Sequence, residues 1–247
     1  METFGAHRSD KSINGAEAEH SRAVREMFSG IAAKYDLLNH LLSLNIDKSW
    51  RRRVRKRLAE TLEREDAAVL DVACGTGDLS LELKRDAKAK VIGTDFCRPM
   101  LTIAAEKSKD LSIPYIEADA MSLPFASDKF DAVTIAFGLR NLPNVNNGLR
   151  ELFRILKPGG RLVVLEFSSP IVPGFRQLFN FYFGNVLPRI GGIVSGSRAA
   201  YTYLPNSVKK FPDQKALSAK FKEVGFDQVV YENLTGGIAA IHTGIKP

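Results

Sequence analysis

The residues best suited to binding chemistry lie at the ends of three successive apolar runs. After the first run comes a Gly-x-Gly turn, Gly75-Thr76-Gly77, which opens a helical stretch. Glycine lets the backbone turn tightly and approach a ligand at the helix start. The runs carry Asp71, Asp95 and Asp119 at their carboxyl ends. Acids at the carboxyl ends of neighbouring parallel strands share a crevice, where they can accept hydrogen bonds from a ribose diol or an adenine amino group. The pattern predicts an adenosine-containing cofactor.

A nicotinamide dinucleotide is the competing interpretation of the same turn. That fingerprint requires a third glycine three residues after the second, and Ser80 occupies the position here. No glycine-rich turn is left for a pyrophosphate, so a cofactor without one fits better. S-adenosylmethionine has an adenosine, an amino acid end and a cationic sulfonium, which an acid-lined crevice favours. We therefore predict S-adenosylmethionine, and no metal, at this crevice.

The segment after the fourth run argues against chemistry on nucleic-acid bases. Methylation of exocyclic amines typically uses an Asn/Asp-Pro-Pro-aromatic segment there, whereas this chain has Ala136-Phe137-Gly138-Leu139. Methylation of a pyrimidine carbon needs a nucleophilic cysteine near that strand. Cys74 and Cys97 both belong to the cofactor half, and two cysteines are too few for a disulfide framework or a cysteine-based zinc site.

Five apolar runs rich in Val and Ile alternate with helical stretches, which is typical of parallel strands buried on both faces. The runs are Ala68–Ala73, Lys90–Asp95, Ile113–Ala118, Phe130–Ala136 and Arg161–Phe167. The helical stretches are about Leu79–Arg85, Pro99–Ser108 and Asn147–Leu156. We expect Lys157-Pro158-Gly159-Gly160 to end the third helix and turn the chain into the fifth strand. A later helix at about Asp213–Val224 precedes two β-rich runs, Gln228–Leu234 and Ile238–Lys246, that fit a hairpin. This alternation predicts an α/β fold with a doubly wound, mostly parallel, seven-stranded Rossmann-like sheet.

The rest of the chain is predicted to extend this single domain. Residues 1–20 are polar, which predicts a disordered tail. The following segments are predicted to be a helical extension (21–65), the cofactor-binding half (66–170), a substrate lid (171–205), and the terminal helix and hairpin (206–247). In the extension, one helix starts at about Ser21, and a second spans about Lys48–Leu62 with a single apolar stripe. The stripe consists of Trp50, Val54, Leu58 and Leu62. The aromatic residues of the lid are Phe175, Phe179, Phe181, Tyr182 and Phe183.

Positive charge is concentrated in one segment. Residues 47–57 carry seven basic side chains and one acid, which accounts for six of the seven net positive charges of the 247-residue chain. Such a patch suits an anionic lipid surface or nucleic acid, and a solvated helix face is the simpler alternative. No apolar run is long enough for a membrane span and no secretory signal is visible, so we expect a cytoplasmic protein with peripheral contact at the inner face of the membrane.

Several segments together resemble the ubiquinone/menaquinone biosynthesis C-methyltransferases, a family of class I methyltransferases that use S-adenosylmethionine. The resemblance covers about residues 28–246. It is carried by Met27-Phe28, Ile31-Ala32, Tyr35-Asp36-Leu37-Leu38-Asn39, Asp71–Asp78, Ala136–Asn141, Lys157–Gly160, Tyr203-Leu204-Pro205 with Ser207, and Asn233–Ala240. The resemblance implies that Thr76, Asp95, Asp119 and Ala120 contact the cofactor, Ala120 through its backbone N–H. It also implies a polyprenylated quinol as substrate.

Methylation of a quinol carbon needs no covalent nucleophile, because ionising a ring hydroxyl makes the adjacent carbon electron-rich. The protein must then position the reactants and stabilise the phenolate. Our hypothesis is that Arg140 stabilises the oxyanion and Asn141 orients it or a water, with His242 as a candidate proton acceptor. The structural alternative pairs Arg140 with Asp131 or a backbone carbonyl.

The resemblance implies conversion of demethylmenaquinol to menaquinol, with the methoxybenzoquinol precursor of ubiquinone, or both substrates, as the nearest alternative. The aromatic lid would bind the prenyl tail, or else form a homodimer interface or a flap of the core. Two alternatives come from other functional classes. One is an RNA-binding protein or RNA methyltransferase that uses the basic helix, and the other is a regulator that binds the cofactor without methyltransferase activity. We expect no nucleic acid partner, because the remainder of the chain is nearly neutral.

Overall fold

The computed structural model describes residues 15–32, 35–36, 43, 45–172, 177 and 198–247. In these ranges the helices are α1 (Gly15–Ile31), α2 (Ile46–Arg57), α3 (Ala59–Leu62), α4 (Asp78–Lys84), α5 (Arg98–Lys107), α6 (Val145–Ile155), α7 (Arg198–Lys210) and α8 (Gln214–Val224). The strands are β1 (Ala68–Val72), β2 (Lys90–Asp95), β3 (Tyr115–Glu117), β4 (Phe130–Ala136), β5 (Leu156–Phe167), β6 (Asp227–Leu234) and β7 (Ala239–Ile245). Short 3-10 turns follow β4 at Leu139–Asn141 and β6 at Thr235–Gly237.

All seven strands form one sheet in the order β3-β2-β1-β4-β5-β7-β6. The strands from β3 to β5 pair in parallel, and β7 pairs antiparallel with both β5 and β6. The strand order reverses between β1 and β4, and ligands of open α/β sheets bind at such a switch point, beyond the carboxyl ends of the strands. The predicted doubly wound sheet and its terminal hairpin are therefore confirmed.

Successive strand residues contribute to two apolar clusters, one on each face of the sheet. In β5, Leu162 and Val164 pack with Leu152 and Phe221 from α6 and α8. The alternate residue Val163 packs on the other face, in the cluster that holds the whole predicted stripe of the second helix. The stripe residues Trp50, Val54, Leu58 and Leu62 are all buried. Because both faces are covered, the functional site is confined to an edge of the sheet.

Two predicted strand boundaries are wrong by more than one residue. β3 begins at Tyr115 and not at Ile113, since Pro114 has no N–H to donate to a neighbouring strand. β5 begins at Leu156, so the Lys157–Gly160 segment lies within that strand rather than in a turn before it. The Gly159 N–H donates to the Lys246 carbonyl at 2.8 Å, which holds the segment against the end of the chain.

The helical extension also differs from its prediction. α1 begins at Gly15, so the part of the predicted tail from residue 15 to 20 is helical. Its first turns contain Ala and Glu, which are strong helix formers and extend the helix beyond its apolar stripe. The predicted second helix is divided in two at Leu58, where φ is −112° and the N–H bonds to the Arg55 carbonyl at 3.0 Å.

The lid prediction falls mostly outside the described residues, which include only Ile171, Val172, Gln177 and the helix α7 from that region. All five of the predicted lid aromatics lie outside them. Among the helices in the described ranges, none combines the length and the apolar character needed to cross a membrane.

Candidate active site

A cleft opens at the carboxyl edge of the sheet, where the strand order reverses. The empty space in and above it, including the solvent at its mouth, is about 690 Å³. Strand ends and the loops after them form its floor, and α1 forms a wall. Lining residues with a role below are Gly75, Asp95, Phe96, Asp119, Ala120 and Asn141.

The glycine turn after β1 borders the cleft through its first glycine. Gly75 has φ +55°, and a Cβ there would have Tyr35 Cε1 as its nearest neighbour at 3.8 Å, so the cleft stays open above the turn. Gly77 faces the interior, since a Cβ there would lie 2.7 Å from Tyr115 Oη. Thr76 is buried and its hydroxyl donates to Asp36 Oδ1. The predicted contact residues Thr76 and Gly77 therefore support the turn and do not line the cleft.

Asp95 and Asp119 both line the cleft, as the strand ends predict. Asp95 Oδ2 accepts from the Gly75 N–H and Oδ1 from the Cys97 N–H, each at 2.8 Å. Burial raises the pKa of Asp95 to about 6, against the opposing effect of these hydrogen bonds. Asp119 Oδ1 accepts from the Met121 N–H at 2.9 Å. A carboxylate oxygen has two acceptor positions, so both acids retain capacity for a ligand.

The third predicted acid, Asp71, does not reach the cleft. It lies within β1, fully buried, and accepts hydrogen bonds from Ser80 Oγ at 2.6 Å and Thr134 Oγ1 at 2.8 Å. Burial raises its pKa to about 6, and the two hydroxyls oppose the rise. Its side chain is directed toward β4 and α4, because alternate residues of a strand face opposite sides of the sheet. Asp71 thus joins three elements beneath the turn.

Arg140 follows β4 in the 3-10 turn and is almost completely buried, with 6% of its side chain exposed, and unlike Asn141 it does not line the cleft. Its Nη1 donates to Glu166 Oε1 at 2.8 Å and to the Phe137 carbonyl. The proposed structural pairing with Asp131 is wrong, because Asp131 pairs with Lys157 at 2.7 Å instead. The carbonyl contact is as proposed, and the carboxylate partner, Glu166, was not anticipated. A lone acid inside an otherwise apolar strand was the available signal for it.

Asn141 lines the cleft and connects the turn to both flanking helices. Its Nδ2 donates to the Phe137 carbonyl at 3.2 Å, and its Oδ1 accepts from the Tyr203 hydroxyl of α7 at 3.2 Å. Its backbone carbonyl accepts from His20 Nε2 of α1 at 3.1 Å. Burial raises the pKa of Tyr203, and the nearby Arg140 cation opposes the rise. His20 was missed because it falls in the segment predicted to be disordered.

His242, the predicted proton acceptor, lies away from the cleft. It is buried in β7, opposite Val164 of β5, and its Nε2 bonds to the Gln214 carbonyl at 2.9 Å. Burial lowers the pKa of His242, which keeps the ring neutral in the core. The catalytic role suggested for His242 is therefore corrected to a structural one.

Helix α1 covers the side of the cleft next to β2, which the sequence did not indicate. Ser21 and Phe28 line the cleft. The Arg25 guanidinium lies 5.3 Å from the ring centroid of Phe96, and Ser29 Oγ lies 3.3 Å from Cys97 Sγ. The cleft is thus built from the sheet edge and from a helix that precedes the sheet in the chain.

Comparison with known proteins assigns the chain to a family. The model of the ubiE/COQ5 methyltransferase family matches residues 16–246. The chain belongs to this family. The family predicted from the motifs is confirmed, and so is the prediction of a methyltransferase.

Relatives cover nearly the whole chain. The demethylmenaquinone methyltransferase of Thermus thermophilus is 51% identical, over 90% of this chain and 100% of that protein. The demethylmenaquinone methyltransferase of Deinococcus radiodurans is 47% identical, over 94% and 96%. The ubiquinone/menaquinone biosynthesis C-methyltransferase UbiE of Proteus mirabilis is 41% identical, over 92% of each chain.

Solved structures agree on the fold. An S-adenosylmethionine-dependent methyltransferase from Thermotoga maritima superimposes with a TM-score of 0.64 at 17% identity, over 90% of this chain and 99% of that one. Phosphoethanolamine N-methyltransferase 2 of Haemonchus contortus, in complex with S-adenosylmethionine, superimposes with a TM-score of 0.55 at 16% identity, over 78% and 52%. The predicted class I methyltransferase fold is confirmed.

Proposed function

We propose that this chain transfers a methyl group from S-adenosylmethionine to a ring carbon of a polyprenylated quinol, converting demethylmenaquinol to menaquinol. The observation that carries the proposal is the 51% identical relative of that name, matched along its full length. Relatives named for both quinones are 38–42% identical, below the 51% and 47% of the two demethylmenaquinone methyltransferases described above, which makes the methoxybenzoquinol precursor of ubiquinone the second choice.

The residues of the cleft fit the proposed methyl donor. Asp95 would accept hydrogen bonds from the ribose diol and Asp119 from the adenine amino group. Phe96 and Ala120 offer apolar surface for the adenine ring, and the missing Cβ of Gly75 leaves space above the turn. S-adenosylmethionine would supply, when bound, a methyl group carried on a cationic sulfur. Once the methyl group is transferred, the sulfur is left as a neutral thioether. No pyrophosphate needs to be accommodated, in agreement with Ser80 in place of the third glycine.

Arg140 would stabilise the ionised hydroxyl of the quinol. Arg140 lies behind the cleft wall and does not line the cleft, so in this structure it acts on a substrate oxygen through its charge. Its buried Nε has no hydrogen-bond partner in the described part of the chain, and this N–H would donate to the oxygen if the side chain turned toward the cleft. A quinol hydroxyl near this cation ionises more readily, and the ring carbon adjacent to the resulting oxyanion becomes nucleophilic. That carbon would form the new bond to the methyl carbon as the methyl–sulfur bond breaks, and its ring proton would then pass to a water, such as one held by Asn141.

Asn141 would place the reacting face of the ring. One N–H of its carboxamide is used by the Phe137 carbonyl, and the oxygen is used by Tyr203. The second N–H remains for the substrate or for a water. Binding through an amide fixed at both ends costs little conformational entropy when the substrate arrives.

The substrate proposal is tested by competition between candidate acceptors. Purified protein, methyl-labelled S-adenosylmethionine and chemically reduced quinols with a short prenyl tail would be incubated without oxygen, with bulk RNA as a third acceptor. We expect label on the ring carbon of demethylmenaquinol, and loss of labelling in Asp95→Ala. Label in RNA alone, or in no acceptor despite measurable cofactor binding, would overturn the proposal.

Contact with an anionic membrane is also proposed, through three exposed cations of α2. Among the seven basic residues of this segment, Arg51 pairs with Asp47 at 2.5 Å, and both Arg53 and Arg57 pair with Glu232. Arg55 donates to the Arg85 carbonyl at 2.6 Å. Lys48, Arg52 and Lys56 are exposed at every fourth position and pair with no acid among the described residues. The free charge of the patch is therefore smaller than the sequence suggests.

Three cations near an anionic surface contribute about 3 kcal/mol, or on the order of a hundredfold in affinity. We expect the protein to sediment with anionic vesicles at low salt and not at high salt, and the triple variant Lys48→Gln, Arg52→Gln, Lys56→Gln to lose sedimentation. The matched control neutralises three exposed lysines at the amino edge of the sheet, Lys88, Lys90 and Lys129. Equal loss in the control, or sedimentation that salt does not change, would contradict docking through α2. The predicted homodimer stays a prediction.

A further inference from the structure

Glu166 is a buried acid in a strand that is otherwise apolar at this point. It is 2% exposed and follows four fully buried residues, Leu162–Leu165, on β5. Its two oxygens accept three hydrogen bonds: from the Arg140 side chain at 2.8 Å, the Arg140 backbone N–H at 3.2 Å, and the Phe167 N–H at 2.8 Å. A buried carboxylate is retained in a fold only when partners of this kind compensate the loss of hydration.

The same contacts fix Arg140 in place. Glu166 holds both the guanidinium and the main chain of Arg140, and the guanidinium also lies 5.3 Å from the ring centroid of Phe167. Nη1 donates to the Phe137 carbonyl as well, while Phe137 itself lines the cleft. The cation is therefore immediately behind the cleft wall, paired at short range with one carboxylate.

A cation at this position raises an electrostatic difficulty for the proposed reaction. The methyl donor is itself a cation at sulfur, and two like charges separated by several ångströms in a poorly solvated site repel each other. An ion pair has a field that falls off much faster with distance than that of a single charge. Pairing with Glu166 therefore removes most of the repulsion at the sulfonium, while the Arg140 Nε–H keeps no partner in the described part of the chain and stays available to an oxygen that reaches it.

We propose that Glu166 is a positioning residue that neutralises Arg140 toward the cationic methyl donor and holds its guanidinium for the quinol oxygen. The inference rests on the proposed function, since it requires S-adenosylmethionine in the cleft. It predicts that Glu166 discriminates between ligands by charge, which a purely structural acid would not do.

The test compares two ligands that differ by one methyl group and one positive charge, S-adenosylmethionine and S-adenosylhomocysteine. Isothermal titration gives both dissociation constants for the wild type, Glu166→Gln and the double variant Arg140→Met with Glu166→Gln. In Glu166→Gln the cation is no longer neutralised, and we expect the affinity for S-adenosylmethionine to fall about tenfold relative to that for S-adenosylhomocysteine. The double variant contains neither charge and should return to the wild-type ratio.

Equal weakening of both ligands in Glu166→Gln, or an unchanged pair of constants, would overturn the proposal. If Glu166→Gln does not fold, the ratio of the two dissociation constants is measured in Glu166→Asp and in Arg140→Met instead. The aspartate keeps the charge and should keep the wild-type ratio, whereas Arg140→Met at alkaline pH leaves a carboxylate that favours S-adenosylmethionine. An aspartate variant with an altered ratio would count against the proposal. Failure of the wild type to bind either compound would instead reject the proposed function.

Discussion

The carboxylate of Asp95 joins two strand ends, because its Oδ2 accepts a hydrogen bond from the backbone N–H of Gly75 at 2.8 Å. The end of β2 is thereby tied to the glycine turn that follows β1, at the floor of the cleft. Only the ionised carboxylate can accept from Gly75, from Cys97 and from a ribose diol at once. Burial raises the pKa of Asp95 to about 6, so this arrangement depends on pH.

We expect cofactor affinity to fall as the pH drops below about 6, reaching a tenfold loss near about pH 5, where roughly nine-tenths of such an acid is protonated. The stability of the free protein should change in the opposite direction. The pKa of Asp95 in the folded chain exceeds its unfolded value of 3.8, so this group contributes increasing stability as the pH falls from about 6 to about 4. Titration calorimetry and chemical denaturation across this pH range measure the two trends.

Asp95→Asn should flatten the affinity profile at a low plateau. Asp71→Asn is the matched control, because burial also raises the pKa of Asp71 to about 6 although its side chain lies outside the cleft. If the affinity still depends on pH in Asp95→Asn and no longer does so in Asp71→Asn, then Asp71 and not Asp95 causes the pH dependence, and the prediction is contradicted.

Arg140→Ala should lower turnover by about a hundredfold to a thousandfold, as expected for loss of a donor to a developing oxyanion. The acid limb of the pH–rate profile should move to higher pH, because the quinol hydroxyl loses the cation that favours its ionisation. Arg150→Ala, at an exposed position of α6, is the control for a lost arginine. Near-normal turnover with an unshifted profile in folded Arg140→Ala would eliminate the oxyanion role.

Tyr203→Phe removes the hydrogen bond to Asn141 Oδ1 and should act on the quinol side of the reaction. One neutral hydrogen bond contributes about 1 kcal/mol, so we expect kcat/KM for the quinol to fall about fivefold to tenfold. The dissociation constant of the cofactor should stay within about twofold of the wild type. Tyr231→Phe, on the exposed edge strand β6, provides the comparison. A larger effect on cofactor binding than on quinol kinetics would contradict the prediction that Tyr203 acts on the quinol and not on the cofactor.

Lys107→Gln should weaken cofactor binding by releasing residues 35 and 36 from the turn. Lys107 Nζ bridges Asp36 at 2.7 Å and Asp78 at 2.5 Å, while Tyr35 next to it lines the cleft. We expect a twofold to fivefold loss of affinity at low salt that disappears at high salt, since partly exposed ion pairs are weak and screened. Lys109→Gln, two residues later, should have no such effect, because in the described part of the chain Lys109 pairs with the exposed Glu106 alone. A salt-independent loss in both variants would point to a change in α5 itself.

Local patterns predicted the sheet well where a strand is a continuous run of Val and Ile with clear ends. β2 and β4 have the bounds that their runs indicate, and the strand ends led directly to Asp95 and Asp119. The end of the first run alone places Asp71 in the crevice, whereas the face of the strand decides which way a side chain points. The partner of Arg140 lies 26 residues away on the adjacent strand, and such a pairing exists only once β4 and β5 are in register.

The wall that α1 contributes has a consequence for how this enzyme handles water. α1 supplies no residue to either of the two large apolar clusters, and its Phe28 packs in a smaller one with Cys97 and Met100, so we expect a chain shortened to begin after Ala32 to keep its sheet. It would nevertheless lack Ser21 and Phe28 along one side of the reaction chamber. Solvent would then enter the cleft beside the bound ligand, and the polar contacts of the ligand would weaken in the more strongly solvated site. We therefore expect removal of the first helix to weaken ligand binding more than it weakens the sheet.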